Sequence, residues 1–381
     1  MNDISRPIKM DDEEIYELVT VKRRNGGIIS RGKFKGSEVL VKSQFRIHAG
    51  DYLISKRQVV HGANGIVPKE LDGAIVSNEY LVLKGNEVFD INYLARLSEI
   101  PMMYKYFLLS SYGIDIEKLV FDVPDWKKRK ISIPHIKEQK QIVHFFRTLD
   151  DTVTLHKRKL DGLKELKRGY LQRMFPQVGE RVPRVRFEGF NGEWEERKLE
   201  EVAEFSKGNG YSKGDLTDRG TPIILYGRLY TKYETIIEDV DSFVKMKEGS
   251  VISCGGEVIV PSSGETAEDI SRASVVEKQG VILGGDLNIV RADSTIHPAF
   301  LAITISNGNQ QKELSKRAQG KSVVHISNSD LKNVVLHLPT LPEQTAIGGF
   351  FRSLDKQITT QVQKLEQLKQ LKAAYLQRMF V

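Results

Sequence analysis

The sequence predicts an α+β protein: two β-rich mixed α/β domains, each followed by one long α-helix, with the two helices pairing as an intramolecular coiled coil of pseudo-twofold symmetry. Three observations predict it. Residues 134–175 and 339–380 align without a gap at an offset of 205 with 22 identities in 42 positions, both copies carry an apolar stripe at coiled-coil spacing, and each follows a glycine-rich stretch of short β-branched runs. The chain has 381 residues, 40% hydrophobic and 28% charged, which suits folded domains of roughly 100 to 200 residues each.

In chain order, residues 1–133 form the first domain, with strands expected at Val39–Val41, Tyr52–Ser55, Ala74–Val76, Tyr80–Leu83 and Lys130–Ile133. Residues 134–175 form the first repeat helix. Its seam is Leu149, Val153, His156, Leu160 and Leu163, stepping by four, three, four and three, continued by Tyr170 and Met174. Residues 176–193, PQVGERVPRVRFEGFNGE, are rich in proline and glycine and form the connection. Residues 194–338 form the second domain, with strands expected at Pro222–Leu225, Ser250–Ser253, Val258–Val260, Val281–Leu283 and Leu287–Val290. Residues 339–381 form the second repeat helix, whose seam repeats as Leu354, Ile358, Gln361, Leu365 and Leu368, continued by Tyr375 and Met379. Neither helix has an internal proline after its first turn, so each can run about 39 residues, or about 58 Å. A stripe of that length needs a partner, and the near-identical stripe of the other copy is the simplest one.

The two domains also run in loose parallel. DGAIVSNEYLVLK resembles QGVILGGDLNIVR, and DWKKRKISIP resembles SDLKNVVLHLP, as expected of one ancestral domain carried twice with different loops.

Lys and Arg number 57 against 50 Asp and Glu, a net charge of +7. The helices carry about +5 and +3 of that, which suits phosphates or acidic partners. No apolar run approaches the roughly 18 to 20 residues of a membrane span, and the amino-terminal stretch lacks an export signal. The single cysteine, Cys254, excludes an internal disulfide and a cysteine-based zinc site within one chain, and fits a cytoplasmic location.

Catalytic motifs fail on inspection. Gly320-Lys321-Ser322 ends like a phosphate-binding loop, but Ser315 stands where the first glycine is required. Gly27 to Lys33 fits G-x-x-x-x-G-K, yet Phe34 follows and offers no hydroxyl for magnesium. The glycine fingerprint of dinucleotide sites and the Asn/Asp-Pro-Pro-Tyr/Phe tetrapeptide of amino-methyltransferases are absent. Pro124-Asp125 with Lys127, Lys128 and Lys130 lacks the second acidic residue of a metal-dependent nuclease, and the histidines show no metal-ligand spacing. The chain reads as non-catalytic.

Each repeat opens with a proline and a Glu-Gln pair (Pro134, Glu138-Gln139; Pro339, Glu343-Gln344), continues through FFRTLD or FFRSLD and ends in YLQRMF. With the entry segment Pro183 to Leu199, PRVRFEGFNGEWEERKL, this resembles the DNA-specificity (S) subunit of type I restriction-modification systems. The resemblance implies a subunit without an active site, whose two target-recognition domains read the halves of a bipartite site in double-stranded DNA. The paired helices serve as a ruler and as the platform for two methyltransferase (M) subunits, and restriction (R) subunits join that core. It also implies that S-adenosylmethionine, ATP and magnesium belong to the partners, with no cofactor on this chain. Two rigidly linked modules gain effective concentration only when their spacing fits.

By loop position, the expected DNA contacts are Lys42, Lys56, Arg57 and Asn64 in the first domain, and Tyr211, Lys213, Tyr226, Arg228, Tyr230, Ser262, Ser263 and Lys321 in the second. The sequence departs from the family at one place: the first domain has no Trp-Glu entry before its strands, so either this domain type begins differently or the chain is shortened at its amino end. Three other readings stay open: a methylation-only specificity subunit, a silent or decoy one, and a coiled-coil DNA-binding scaffold unrelated to modification.

Overall fold

The computed structural model describes residues 1–320 and 323–380. The chain divides into two units, Met1–His156 with Lys364–Val381, and Lys157–Gln363. The boundary cuts both long helices, so each unit holds the first part of one and the last part of the other.

The long helices are Ile136–Arg173 and Leu341–Met379. Their sequences are dense in Leu, Lys, Gln and Glu, which lose little rotamer freedom in a helix, and Pro342 sits in the first turn, where its missing N–H costs nothing. In unit one Phe145 meets Tyr375 edge to face at 5.0 Å, and Lys372 bonds Asp150 at 2.7 Å. In unit two Tyr170 meets Phe350 edge to face at 4.9 Å, and Lys167 bonds Asp355 at 2.5 Å. Residue numbers rise on one helix as they fall on the other, so the helices are antiparallel in both units. Each pair is the other pair displaced by the repeat offset.

The expected seam is mostly inside. Leu149, Leu160, Met174, Leu354, Leu365 and Leu368 are buried, and Val153, Leu163, Tyr170, Ile358 and Met379 are half-buried. Tyr375 is the exception, exposed at the rim, because its ring lies against Phe145 while Leu376 and Met379 turn into the core beneath it.

Each domain is tied to its helix by one glutamine. Gln139 donates to the carbonyls of Pro134 and Val88, and its Oε1 accepts from the Asp90 N–H. Gln344 donates to the carbonyls of Pro339 and Thr295, and its Oε1 accepts from the His297 N–H. Asp90 and His297 are the residues that start the short helices Ile91–Leu97 and Pro298–Ile305. One buried amide therefore satisfies three backbone groups at the joint of domain and helix in each unit.

In unit one an antiparallel sheet runs Asn2–Asp3, Tyr80–Lys84, Tyr52–Ser55, Asn64–Ile66. A second sheet runs Pro7–Ile8, Gln44–Arg46, Ile75–Ser77, Ile15–Val21, Ile28–Lys35, and the two pack around Ile47, Leu53, Val76 and Val82. In unit two the matching first sheet runs Ala203–Lys207, Leu287–Ala292, Glu257–Pro261, Ser274–Val276 and adds Ile236–Ile237. A smaller sheet runs Leu216–Thr217, Phe243–Val244, Thr221–Ile224, Ile282–Leu283. Trp194, buried against Phe175 and Phe300, closes the core on the helix side.

Three expected strands are corrected. Val39–Val41 follows a 3-10 turn and pairs with no strand: Val39 is buried while Leu40 is fully exposed. Ser250–Ser253 makes only an isolated bridge, Ile252 to Ile282. Lys130–Ile133 is not a strand, whereas its counterpart Val335–Leu338 pairs with Glu195–Lys198.

Replacing Gln344 by Leu keeps the volume but strands two carbonyls and an N–H, at a cost on the order of 3 kcal/mol. The urea midpoint followed by far-ultraviolet circular dichroism should fall, and Gln139→Leu should lower it comparably.

Candidate nucleic-acid interface

In unit one the turn between Ile15–Val21 and Ile28–Lys35 carries Lys22, Arg23, Arg24, Asn25 and Gly26. Arg24 and Asn25 both have positive φ, 58° and 51°, the backbone of a tight hairpin reversal whose twist matches the flanking strands. The Arg24 and Asn25 N–H groups donate to the carbonyls of His61 and Gly62 at 2.7 and 2.9 Å, which fixes the tip on the segment Lys56–Gly62. Arg23 reaches Gln58 at 2.7 Å and Glu117 at 2.6 Å, while Arg24 is exposed and has no ion pair among the described residues.

Of the residues expected in this unit, Lys56 and Arg57 share that surface. Lys56 Nζ donates to the Asn78 carbonyl at 2.7 Å and Arg57 Nε to Glu79 at 2.9 Å, so the turn Ser77–Tyr80 orients both. Lys42 lies on a different loop, bonded to Asp12 at 2.8 Å and to the Gly36 carbonyl. Asn64 is buried: its Oδ1 accepts from the Tyr52 hydroxyl at 2.8 Å, and its Nδ2 has no partner among the described residues. It lines a cleft of about 290 Å³ with Asn25, Asn92, Arg96 and Arg147. Sequence reasoning missed Arg23 and Arg24, although basic residues set directly before Asn-Gly between two β-runs mark a cationic hairpin tip.

In unit two the loops Gly208–Gly220 and Lys245–Ser250 face each other. The Tyr211 hydroxyl bonds Ser250 Oγ at 2.6 Å and accepts from the Lys247 N–H at 2.7 Å, Lys247 Nζ lies 4.8 Å from the Tyr211 ring centre, and Asn209 donates to the Gly249 carbonyl. Tyr211 thus holds the two loops together, with its polar atom already engaged. Around it stand the exposed cations Lys213, Arg219 and Lys245, which form no ion pair among the described residues. The missed cations Lys245 and Lys247 sit in VKMKEG, whose two lysines give no sign in the sequence of facing Tyr211.

The remaining expected contacts are turned inward. Arg228 is 9% exposed because Glu234 and Asp241 grip its guanidinium at 2.6 Å each, and Tyr226 and Tyr230 flank it with ring centres 6.2 Å apart. Burial pushes the Tyr230 phenol up. Ser262 and Ser263 are buried, with Ile326 donating to the Ser262 carbonyl and Ser263 paired to His325 as a strand. The Ser262 hydroxyl is buried and has no hydrogen-bond partner among the described residues. Lys321 lies outside the described residues. Among the described residues, no cluster of His, Cys, Asp and Glu could hold a metal ion, and no helix is long and apolar enough to cross a membrane.

The Lys247 ammonium, with the Ser212 N–H and hydroxyl, holds the Asp215 carboxyl down at about 2. A depressed carboxyl contributes stability that is present above its ordinary 3.8 and is lost as pH falls toward about 2. Carboxyl carbon NMR should place the midpoint there, and in Lys247→Ala it should climb back toward 3.8. Arg228→Ala should lower the thermal midpoint, since it leaves the Glu234 carboxylate without its cation and Asp241 with Lys232 alone.

The model of the type I restriction modification DNA specificity domain matches this chain twice, over residues 7–165 and 191–370. The type I restriction enzyme MjaVIII specificity subunit of Methanocaldococcus jannaschii is 21% identical over 398 residues, taking in 96% of this chain and 86% of that protein. The S subunit of a type I restriction-modification system from M. genitalium superimposes with a TM-score of 0.59 at 13% identity, over 100% of this chain and 93% of that one. The HsdS subunit from Thermoanaerobacter tengcongensis does so with a TM-score of 0.50 at 18% identity, over 99% and 93%. The two structures carry the fold, and the two family matches together take in most of the chain. The chain therefore belongs to the type I restriction-modification DNA specificity family, as a non-catalytic DNA-recognition subunit with two target-recognition domains.

Proposed function

We propose that the two domains, residues 1–133 and 194–338, read the two halves of a bipartite target in double-stranded DNA, while the helices of residues 134–175 and 339–381 act as ruler and as docking platform for two methyltransferase subunits. Residues 176–193 connect the halves. Restriction subunits join that assembly, and S-adenosylmethionine, ATP and magnesium enter on the partners, in the cytoplasm where the DNA is.

The observation that carries this reading is the repetition of one joint. Gln139 and Gln344 make the same three hydrogen bonds, and Asp150–Lys372 and Asp355–Lys167 the same ion pair, so each domain is held on its helix in the same way. Two equal platforms suit two equal partners. The recognition loops, by contrast, differ between the units, as two different half-sites require. The charge pattern adds support: Arg24, Lys56 and Arg57 in unit one and Lys213, Arg219 and Lys245 in unit two sit on loops held by rigid sheets, where a cation can reach phosphate or a base edge.

Long-read methylome sequencing with and without the gene tests the whole reading: loss of one split, asymmetric methylated motif on deletion supports it, and an unchanged methylome in a strain expressing the methyltransferase sinks it. For the interface, Lys213→Ala with Lys245→Ala should reduce the slope of log affinity against log salt by about 2. Arg228→Ala should leave that slope unchanged, because its charge is neutralised inside the domain.

A further inference from the structure

The gapless repeat sets Arg147 of FFRTLD against Arg352 of FFRSLD, and the two guanidinium groups meet different surroundings. In unit two Arg352 bonds two carboxylates, Glu277 at 2.6 and 2.8 Å and Glu238 at 2.5 Å. These residues directly follow two neighbouring strands of the first sheet, Ser274–Val276 and Ile236–Ile237. The domain itself thus supplies two negative charges to this arginine.

In unit one the corresponding arginine has none. The first sheet ends at Asn64–Ile66, and Gly27 of the hairpin lies against Gly65 where unit two continues with Ile236–Ile237. Arg147 is exposed and forms no hydrogen bond or ion pair among the described residues. It lines the cleft of about 290 Å³ together with Asn25, Asn64, Asn92, Arg96 and Glu99. The other charges there balance one another. Arg96 bonds Glu99 at 2.8 Å and Asp150 at 2.6 Å, and Lys372 reaches the same two carboxylates at 3.6 and 2.7 Å. Arg147 is therefore an uncompensated positive charge of the cleft. Asn64, 3% exposed, turns its Oδ1 to the Tyr52 hydroxyl and leaves its Nδ2 without a partner among the described residues. A buried donor left unpaired is costly, and a group that enters the cleft and accepts from it removes that cost.

We infer that this cleft of unit one binds a phosphate-type oxyanion, held by the Arg147 guanidinium and the Asn64 Nδ2. Unit two supplies the charge argument. Two carboxylates sit on Arg352, and one phosphate group, with about 1.5 to 2 negative charges at neutral pH, brings a similar charge to Arg147. The planar guanidinium offers paired N–H groups to two of its oxygens, and the buried amide offers a further donor to a third. The site rests on the contrast between the two arginines and on the unpaired amide, and it stands whether or not the domains read DNA. The phosphate is either free or part of a nucleic acid backbone, and the test separates the two.

The test is phosphorus NMR of inorganic phosphate titrated with the full chain, in chloride of matched ionic strength. Saturable binding to one site is expected, with a dissociation constant below about 10 mM. Arg147→Ala should weaken it about tenfold or more, and so should Asn64→Asp, which sets a carboxylate oxygen where the donor stood. Arg352→Ala should leave it unchanged, because that arginine belongs to the filled counterpart. Arg147 is bonded to nothing in the fold, so circular dichroism of Arg147→Ala should match the parent. Added DNA duplex displaces the phosphate if a backbone phosphate is the natural occupant, and leaves it bound if the occupant is free phosphate. Absence of saturable binding overturns the inference, as does binding that Arg147→Ala leaves intact.

Discussion

A helix of nearly forty residues with an apolar stripe is unstable by itself, and the structure depends on how that stripe is covered. Each unit solves the problem by pairing its own helix start with the far end of the other helix. The reciprocal contacts, Phe145 with Tyr375 and Tyr170 with Phe350, repeat the same edge-to-face aromatic pair in both units, exposed in unit one and half-buried in unit two. Lysine and aspartate set the register beside them, and a slip by one residue would part both ion pairs and rotate the leucines out of the seam. Because each helix contributes to both units, the core of unit one is completed by Leu376, Met379 and Phe380 from the far end of the chain, while unit two is one continuous stretch, Lys157–Gln363.

Where the domain meets the helix, the constraint becomes polar. Gln139 and Gln344 are buried, and each amide closes three backbone groups that would otherwise be stranded. Such a network is rigid because every member is satisfied. A domain anchored this way presents its loops at a defined place, while the loops can vary without disturbing the joint. That division of labour suits a specificity subunit: constancy in the frame, variation in the recognition surface.

The cations divide into those engaged inside the fold and those that face solvent. Arg228 is held by two carboxylates and Arg186 by Glu343, and their charge is spent inside the protein. Arg24, Lys213, Arg219 and Lys245 face solvent on loops braced by hydrogen bonds to neighbouring turns. Tyr211, at a positive φ of 61°, bonds the facing loop through its hydroxyl and so holds Lys247 and Ser250 in place.

The gapless repeat determined, by itself, the helices, their pairing and the two-domain order, because an apolar period and 22 identities over 42 positions are properties of sequence alone. The family signature rests on the same residues. Strands with dense β-branched runs, Tyr52–Ser55, Tyr80–Leu83 and Val258–Val260, were legible for that reason, while Lys130–Ile133 was not. Its pattern is that of its paired counterpart, Val335–Leu338, which becomes a strand by pairing with Glu195–Lys198, whereas Lys130–Ile133 pairs with no strand among the described residues. The interface was legible only in part. Whether Arg228 or Arg24 faces solvent depends on carboxylates and turns brought in from elsewhere in the chain, and a strand's hydrogen bonds, like a side chain's charge partner, exist only once tertiary structure supplies the other half.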